Sequence, residues 1–105
     1  AVDCGRTVNP NLVRQQIEGG LIAGLTQATQ PLPQFRYGMA VAGLPREPRL
    51  AGTPSIEVEL IRSNADPGGV NGLGFAAVAP AVANALFAAT GRRLRRLPLD
   101  PMSSE

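Results

Sequence analysis

The sequence predicts an α+β fold in which two helices pack on a small mixed sheet. Apolar residues recur at helical spacing over residues 10–29 and 80–90, whereas apolar and polar residues alternate over Ile56–Arg62. The first two patterns are typical of amphipathic helices, and the third is typical of a half-buried strand. At 105 residues the chain is long enough for one domain, interrupted by an irregular connection at about 30–54.

Composition excludes several classes of function. The chain is 44% hydrophobic but only 4% aromatic, which favours a closely packed core of small residues. Its net charge of +2 is too small to indicate a nucleic-acid partner. It has no histidine, so it offers no His-containing metal site and no Ser-His or Cys-His pair, and we assign no metal ligands. The single cysteine, Cys4, excludes an internal disulfide.

The first helix is predicted over Pro10–Thr29. Asn9 is a favourable N-cap residue, and proline at position 10 suits the first helical turn. The residues predicted to share its apolar face are Val13, Ile17, Leu21 and Gly24, flanked by Leu25. The preceding "AVDCG" resembles the end of a strand, and the absence of an initial Met leads us to expect a piece of a longer protein.

Three glycines, Gly19, Gly20 and Gly24, fit this helix poorly, since each costs up to about 1 kcal/mol relative to alanine in a helix interior. One interpretation is a helix–helix contact through Gly20-x-x-x-Gly24. The other is the close approach of a ligand or of another chain. The sequence alone favours the helix–helix contact but leaves both interpretations open.

The strand signal is strongest in "SIEVELIR", where Ile56, Val58 and Leu60 share one face. Glu57 and Glu59 share the other face, which is ordinary for solvated residues and does not indicate a catalytic acid pair. A short strand is possible near Arg36–Val41 within the irregular connection, and the tail near Leu94–Leu97 is a candidate edge strand.

A glycine-rich loop, "DPGGVNGLG", follows the predicted strand at residues 66–74. Its spacing matches neither dinucleotide-binding nor P-loop fingerprints. The second helix is predicted to start at Pro80, several residues after the loop, and to stop at Gly91. No apolar run is recognised that reaches the about 18 residues needed to cross a bilayer.

Two stretches carry a resemblance to a known family. "VDCGRTVNPNLVRQQIEGGLIAGL" and "DPGGVNGLGFAAVAPAVANALFAATGRRLRRLPL" resemble the C-terminal part of the molybdopterin-binding large (beta) subunit of the xanthine dehydrogenase and aldehyde oxidase family. The nearest branch is similar to the isoquinoline 1-oxidoreductase beta subunit, to which membrane-associated bacterial aldehyde dehydrogenases are also similar. The chain would then be a fragment or domain of a molybdenum-hydroxylase subunit.

This resemblance implies an oxidoreductase that hydroxylates aldehydes or N-heterocycles, with molybdopterin cytosine dinucleotide as cofactor. It implies two partners, the remainder of the large subunit and a small 2Fe-2S subunit, and self-association of the isolated fragment is expected. Gln16 falls on the family's pterin-contacting glutamine, with Gly20 and Ala23 on the same helix side. The cofactor-binding residues implied are Gln16, Gly69, Val70, Asn71 and Gly72.

The family's catalytic base, a glutamate, has no counterpart in the glycine-rich loop, and a base elsewhere, altered chemistry, lost activity with retained binding and a gapped alignment all stay open as explanations. An ungapped alignment places Gly72 where relatives carry a glutamate, so no catalytic residue is assigned and the isolated chain is expected to be inactive. A degenerate interaction module that binds no molybdenum cofactor is the alternative. The compartment stays open between bacterial periplasm and cytoplasm.

Overall fold

The computed structural model describes residues 1–42, 53–100 and 102. It contains a helix α1 (Pro10–Thr29), strands β1 (Gln34–Arg36) and β2 (Met39–Ala42), and a helix α2 (Leu73–Thr90). The predicted α+β class is confirmed. The arrangement differs in detail, because within the described residues the helices pack against each other and the two-stranded sheet packs against neither.

Helix α1 has the predicted bounds, and its start is explained by local hydrogen bonding. The Asn9 side chain accepts hydrogen bonds from the backbone N–H groups of Asn11 and Leu12, at 3.1 and 3.2 Å. Pro10 occupies the first turn, where its missing N–H would have no helical partner. The helix then buries three residues toward its partner, at the predicted apolar spacing: Ile17, Gly24 and Ala28.

Helix α2 begins at Leu73, seven residues earlier than the predicted start at Pro80. A proline inside a helix removes the hydrogen bond to the carbonyl four residues earlier, here that of Ala76. Both Pro80 and Ala76 are exposed, so water can satisfy that carbonyl. The glycine-rich loop therefore opens directly into the helix, contrary to the prediction. Gly91, with φ of 73°, ends the helix as predicted.

The two helices meet backbone to backbone through glycines. A Cβ added to Gly24 would lie 2.7 Å from the Phe75 carbonyl oxygen, and one added to Gly74 would lie 2.5 Å from the Ile17 carbonyl oxygen. The helix–helix interpretation of Gly20 and Gly24 is thus confirmed. The buried apolar residues among those described are Cys4, Ile17, Ala28, Val78 and Leu99.

The connection after α1 contains a hairpin rather than the single short strand predicted near Arg36–Val41. β1 and β2 are antiparallel, with Arg36 opposite Met39. Tyr37 and Gly38 form the two-residue turn with φ of 50° and 78°, as a tight hairpin connection requires. Every hairpin residue is exposed. The remainder of the connection, residues 43–52, lies outside the described residues.

The predicted strand Ile56–Arg62 is not a regular strand in the structure, and it forms only one parallel bridge, between Val2 and Leu60. The Val2 N–H donates to the Glu59 carbonyl at 2.8 Å, and the Ile61 N–H donates to the Val2 carbonyl at 2.9 Å. Exposure alternates as predicted, with Glu57 and Glu59 facing solvent. A regular strand needs a longer neighbour than Val2 offers within these residues.

The tail also departs from its prediction, since residues 94–97 form no strand. Instead, the tail returns to the end of α1, where the Leu99 N–H donates to the Ala28 carbonyl at 2.7 Å. Leu99 is buried there. Arg93 stacks over the Phe87 ring of α2, with its guanidinium carbon 3.8 Å from the ring centroid.

Helix α2 overturns the expectation that no apolar run has bilayer-crossing length. It spans 18 residues without a charged side chain, and by length and composition alone it is able to cross a membrane. One such helix is weak evidence, because core helices of soluble proteins pass the same test.

Candidate cofactor-binding site

The first half of the glycine-rich loop is fixed to the start of the chain. The Arg6 N–H donates to the Ala65 carbonyl at 3.0 Å, and the Gly68 N–H donates to the Cys4 carbonyl at 2.8 Å. Gly5 has φ of 72°, and a Cβ there would collide with the Asp66 carbonyl. Only glycine permits this close approach, so the strand-like start of the chain holds the loop in place.

The ion pair between Arg6 and Asp66 adds little to this anchor. Arg6 Nη2 and Asp66 Oδ1 are 3.2 Å apart, but the two side chains are 64% and 96% exposed. Exposed pairs of this kind contribute about 0–1 kcal/mol, because water screens the attraction. The backbone hydrogen bonds and the Gly5 contact therefore position the loop.

The second half of the loop is open. A Cβ added to Gly69 or to Gly72 would meet nothing within 4 Å. The Asn71 side chain is exposed and makes no hydrogen bond with a described residue. Val70 is half-buried, and its carbonyl accepts a long hydrogen bond of 3.4 Å from the Leu73 N–H. This end of the loop thus presents backbone and one amide to whatever lies beside it.

Gly72 is the N-cap of α2 and has a left-handed backbone, with φ of 79° and ψ of −7°. No side chain caps the first N–H groups of the helix. Glycine adopts this backbone conformation readily and asparagine does so less often, whereas other residues rarely adopt it. A glutamate at Gly72, where the ungapped alignment leads us to expect the family's base, would therefore be strained.

Gln16 lies on α1 with an exposed side chain that makes no hydrogen bond with a described residue. The next residue, Ile17, has its carbonyl oxygen against Gly74 in the first turn of α2. Gln16 and the open half of the loop therefore lie at the same end of the helix pair. The structure brings together segments that are more than 50 residues apart in the sequence.

The resemblance implied that Gly20 thins the helix for a ligand, but the structure shows the helix–helix contact instead. A Cβ on Gly20 would lie 3.2 Å from the Phe75 backbone nitrogen, so the thin helix face admits α2 rather than a ligand. Gly19, in contrast, has nothing within 4 Å of its Cβ position. Gly19, which lies beside the helix–helix contact, is therefore open, whereas Gly20 lies in the contact.

Two cavities adjoin these segments, and sequence reasoning identified neither. One, of about 430 Å³, lies between the chain start, α1 and the first turn of α2, and its lining includes Ile17, Leu73 and Gly74. The other, of about 970 Å³, is lined by three arginines and no carboxylate: Arg6, Arg14 and Arg62. These arginines are not recognisable as a group from their spacing in the sequence, because only tertiary packing makes them neighbours.

Comparisons with known proteins identify similar sequences without assigning a role to any single residue. Residues 1–32, which include Gln16, match the molybdopterin cofactor-binding domain. The chain is 36% identical over 104 residues to the isoquinoline 1-oxidoreductase subunit beta of Brevundimonas diminuta. It is 34% identical over 103 residues to the membrane-bound aldehyde dehydrogenase (pyrroloquinoline-quinone) of Gluconacetobacter polyoxogenes. The chain is thus similar to a molybdopterin cofactor-binding domain over its first 32 residues and to two oxidoreductases over most of its length.

The extent of these matches is uneven. The alignments cover 96% and 95% of this chain, but the chain spans only 13% of the length of each relative. The domain match ends at residue 32, so the loop at 69–72 lies outside it and rests on the alignments to the relatives. No solved structure matches the chain significantly.

The available groups fit a pterin cofactor. A side-chain amide offers both a donor and an acceptor, which complements the donor and acceptor edges of a pterin. Gln16 has such an amide without a partner among the described residues, and the open glycines at 69 and 72 allow a ligand to approach backbone groups. None of the residues 69–72 has an acidic side chain, so this loop supplies no carboxylate for proton transfer.

Proposed function

We propose that this chain is part of the large subunit of a molybdenum-dependent hydroxylase acting on aldehydes or N-heterocycles. It contributes to molybdopterin binding through Gln16 and the loop Gly69, Val70, Asn71 and Gly72, and it is not catalytic alone. When bound, the cofactor supplies the redox centre at which the substrate is hydroxylated with oxygen from water. This chain's own residues bind and orient that group.

The observation that carries the proposal is the amide of Gln16, which has no hydrogen-bond partner among the described residues and lies at the same end of the helix pair as the open loop. The amide is exposed as well, so both its donor and its acceptor are available to a ligand. Two nearby residues of α1 have structural roles, since Ile17 is buried against α2 and Arg14 donates to the Val58 carbonyl at 3.4 Å. Gln16 is therefore free to meet a ligand.

The finer assignments belong to the same proposal. The cofactor is molybdopterin cytosine dinucleotide, and electrons leave through a small 2Fe-2S subunit. One relative is named as a beta subunit, which supports an assembly of more than one kind of chain. The remainder of the large subunit provides the other side of the site.

The alternative is a degenerate interaction module without molybdenum, and one observation favours it. Gly72 stands at the aligned base position in a backbone conformation that disfavours glutamate, and the nearest upstream carboxylate, Asp66, is paired with Arg6. Loss of the base is compatible either with retained cofactor binding or with loss of cofactor binding as well.

A matched pair of variants tests the proposal in the full-length parent, purified with its small subunit. Gln16→Leu removes the amide, whereas Gln15→Leu makes the same change at an exposed neighbour. We expect molybdenum per large subunit, measured by elemental analysis, to fall about 3- to 10-fold in the first variant, as the loss of one or two ligand hydrogen bonds predicts. It should stay unchanged in the second.

The outcome separates the two functions. Absence of molybdenum from the unmodified parent, under conditions that load related enzymes, would favour the degenerate module. Equal molybdenum content in the two variants would remove Gln16 from the site. Turnover of an aldehyde and of an N-heterocycle by the loaded parent would then identify the substrate class.

A further inference from the structure

Helix α2 exposes a face that carries no charge. We define its outer face as five exposed residues at helical spacing: Ala77, Pro80, Ala81, Asn84 and Ala88. Only Gly74 and Val78 of the 18 residues in this helix are buried. Surfaces that face water in small domains are about 25–35% charged, whereas this helix has no charged residue.

An apolar groove runs beside this face. It has a volume of about 480 Å³ and lies between the two helices and the extended segment before Glu57. Ala77 and Ala81 border both the groove and the outer face. The main apolar residues of the lining are Leu21, Leu25, Ile56, Ala77, Ala81 and Val82.

The exposed area of the whole chain is larger than that of a compact monomer of the same mass. The chain exposes 8161 Å². A compact monomer of 10.9 kDa exposes about 5,600 Å² by the usual scaling, which is about 2,600 Å² less. A standard protein–protein interface buries about 800 Å² per partner. The excess is therefore about three times that area, as for a part cut from a continuous core.

We propose that a segment of the same large subunit, outside these 105 residues, packs along the outer face of α2 and inserts an apolar side chain into the adjacent groove. The inference rests on the proposed function, because it takes the chain as part of a larger subunit. The chain spans 13% of the length of its relatives, so a parent of that length has ample chain to provide this cover.

The residue types on the outer face favour protein over lipid as the covering material. Alanines let another backbone approach closely, which strengthens packing between protein elements. Asn84 makes no hydrogen bond with a described residue, and covering it without a partner would cost about 1–3 kcal/mol. The covering segment therefore presents a hydrogen-bonding group to Asn84, which hydrocarbon does not offer.

Cysteine labelling in the full-length parent tests the proposal. Ala81→Cys and Ala88→Cys are made in a Cys4→Ala background, and each is treated with a maleimide in the native and urea-unfolded parent. We expect labelling of both positions to be at least about tenfold slower in the native protein, because access requires local opening. Asn84→Cys serves as a second reporter if either alanine variant does not fold.

Three results would overturn the proposal. Labelling as fast in the native parent as in the unfolded one would show an uncovered face. Protection that disappears on dilution would assign the cover to a second copy of the chain. Protection that requires phosphatidylcholine–phosphatidylglycerol vesicles would assign it to a bilayer. Molybdenum content, measured on the same samples, tests the cofactor role independently: protection without molybdenum would leave this inference standing while the proposed function fails.

Discussion

The glycines in the contact between α1 and α2 and the glycines at the open end of the loop meet opposite surroundings. A Cβ on Gly24 or Gly74 would lie within 3 Å of backbone on the other helix, whereas a Cβ on Gly69 or Gly72 would meet nothing within 4 Å. The first pair is required by packing inside this chain. The second pair is not, so the reason for glycine there is either backbone conformation or something outside the chain.

The comparison shows why glycine content alone does not indicate a binding site. Gly20 and Gly24 were compatible with a ligand or with a second helix, and the structure assigns both to the second helix. The pair works because a helix without side chains at these points can approach its neighbour at backbone distance. Open glycines next to an unpartnered amide are the better indication of a ligand.

Filling the helix contact should have the largest effect. Gly24→Ala places a methyl group 2.7 Å from the Phe75 carbonyl oxygen, and backbone atoms cannot move aside without shifting α2. We expect the opening free energy of α1 and α2, measured by hydrogen exchange in the parent, to fall by about 1–3 kcal/mol.

Gly19→Ala is the matched control on the same helix, because its Cβ has open space. Here we expect the opening free energy of α1 to rise by up to about 1 kcal/mol, since alanine has the higher helix propensity. Similar destabilisation by both substitutions would show that the parent covers Gly19 as well, and the contrast between the two glycines would not hold.

Substitution of Gly72 tests whether conformation or chemistry explains this position. Its φ of 79° is unfavourable for any residue with a side chain, so both Gly72→Glu and Gly72→Gln should lower the opening free energy of α2 by about 1 kcal/mol. Only the glutamate adds a carboxylate at the aligned base position. We expect hydroxylase turnover of the molybdenum-loaded parent to rise in Gly72→Glu alone, measured under steady-state conditions.

Equal turnover in the two variants, with molybdenum retained, would mean that the ungapped alignment misplaces the base. Backbone strain does not affect this comparison of turnover, because the glutamate and glutamine variants carry the same strain at position 72.

Gly69→Ala should have the smallest effect on folding. Gly69 lacks both a positive φ and a close neighbour at its Cβ position. Thermal unfolding and hydrogen exchange of the parent should change by less than about 0.5 kcal/mol. A larger loss of stability would show that the rest of the parent packs against this side of the loop. Gly69 would then resemble Gly24 and Gly74, which packing requires to be glycine.

Much of α1 could be predicted because its signals are local. The Asn9 cap, the proline in the first turn and the apolar spacing through Ile17 lie within one helix, and the structure reproduces the predicted bounds. The start of α2 was predicted wrongly, since a proline usually marks the first turn and Pro80 instead lies inside the helix. The carbonyl left without a helical partner belongs to Ala76, an exposed residue, so water lowers the cost of the missing hydrogen bond.

The sequence by itself determined the α+β class, the first helix, the solvated glutamates of residues 56–62 and the similarity to a molybdopterin cofactor-binding domain. These follow from periodicity, capping and side-chain identity, which act over a few residues or by direct comparison. Only the tertiary structure decided which glycines face a helix and which stay open, and that the loop leads directly into α2. It also placed Gln16 and that loop at the same end of the helix pair, and it exposed the uncharged face of α2. These properties depend on which distant backbone segments approach each other, and residue spacing along the chain does not encode that distance.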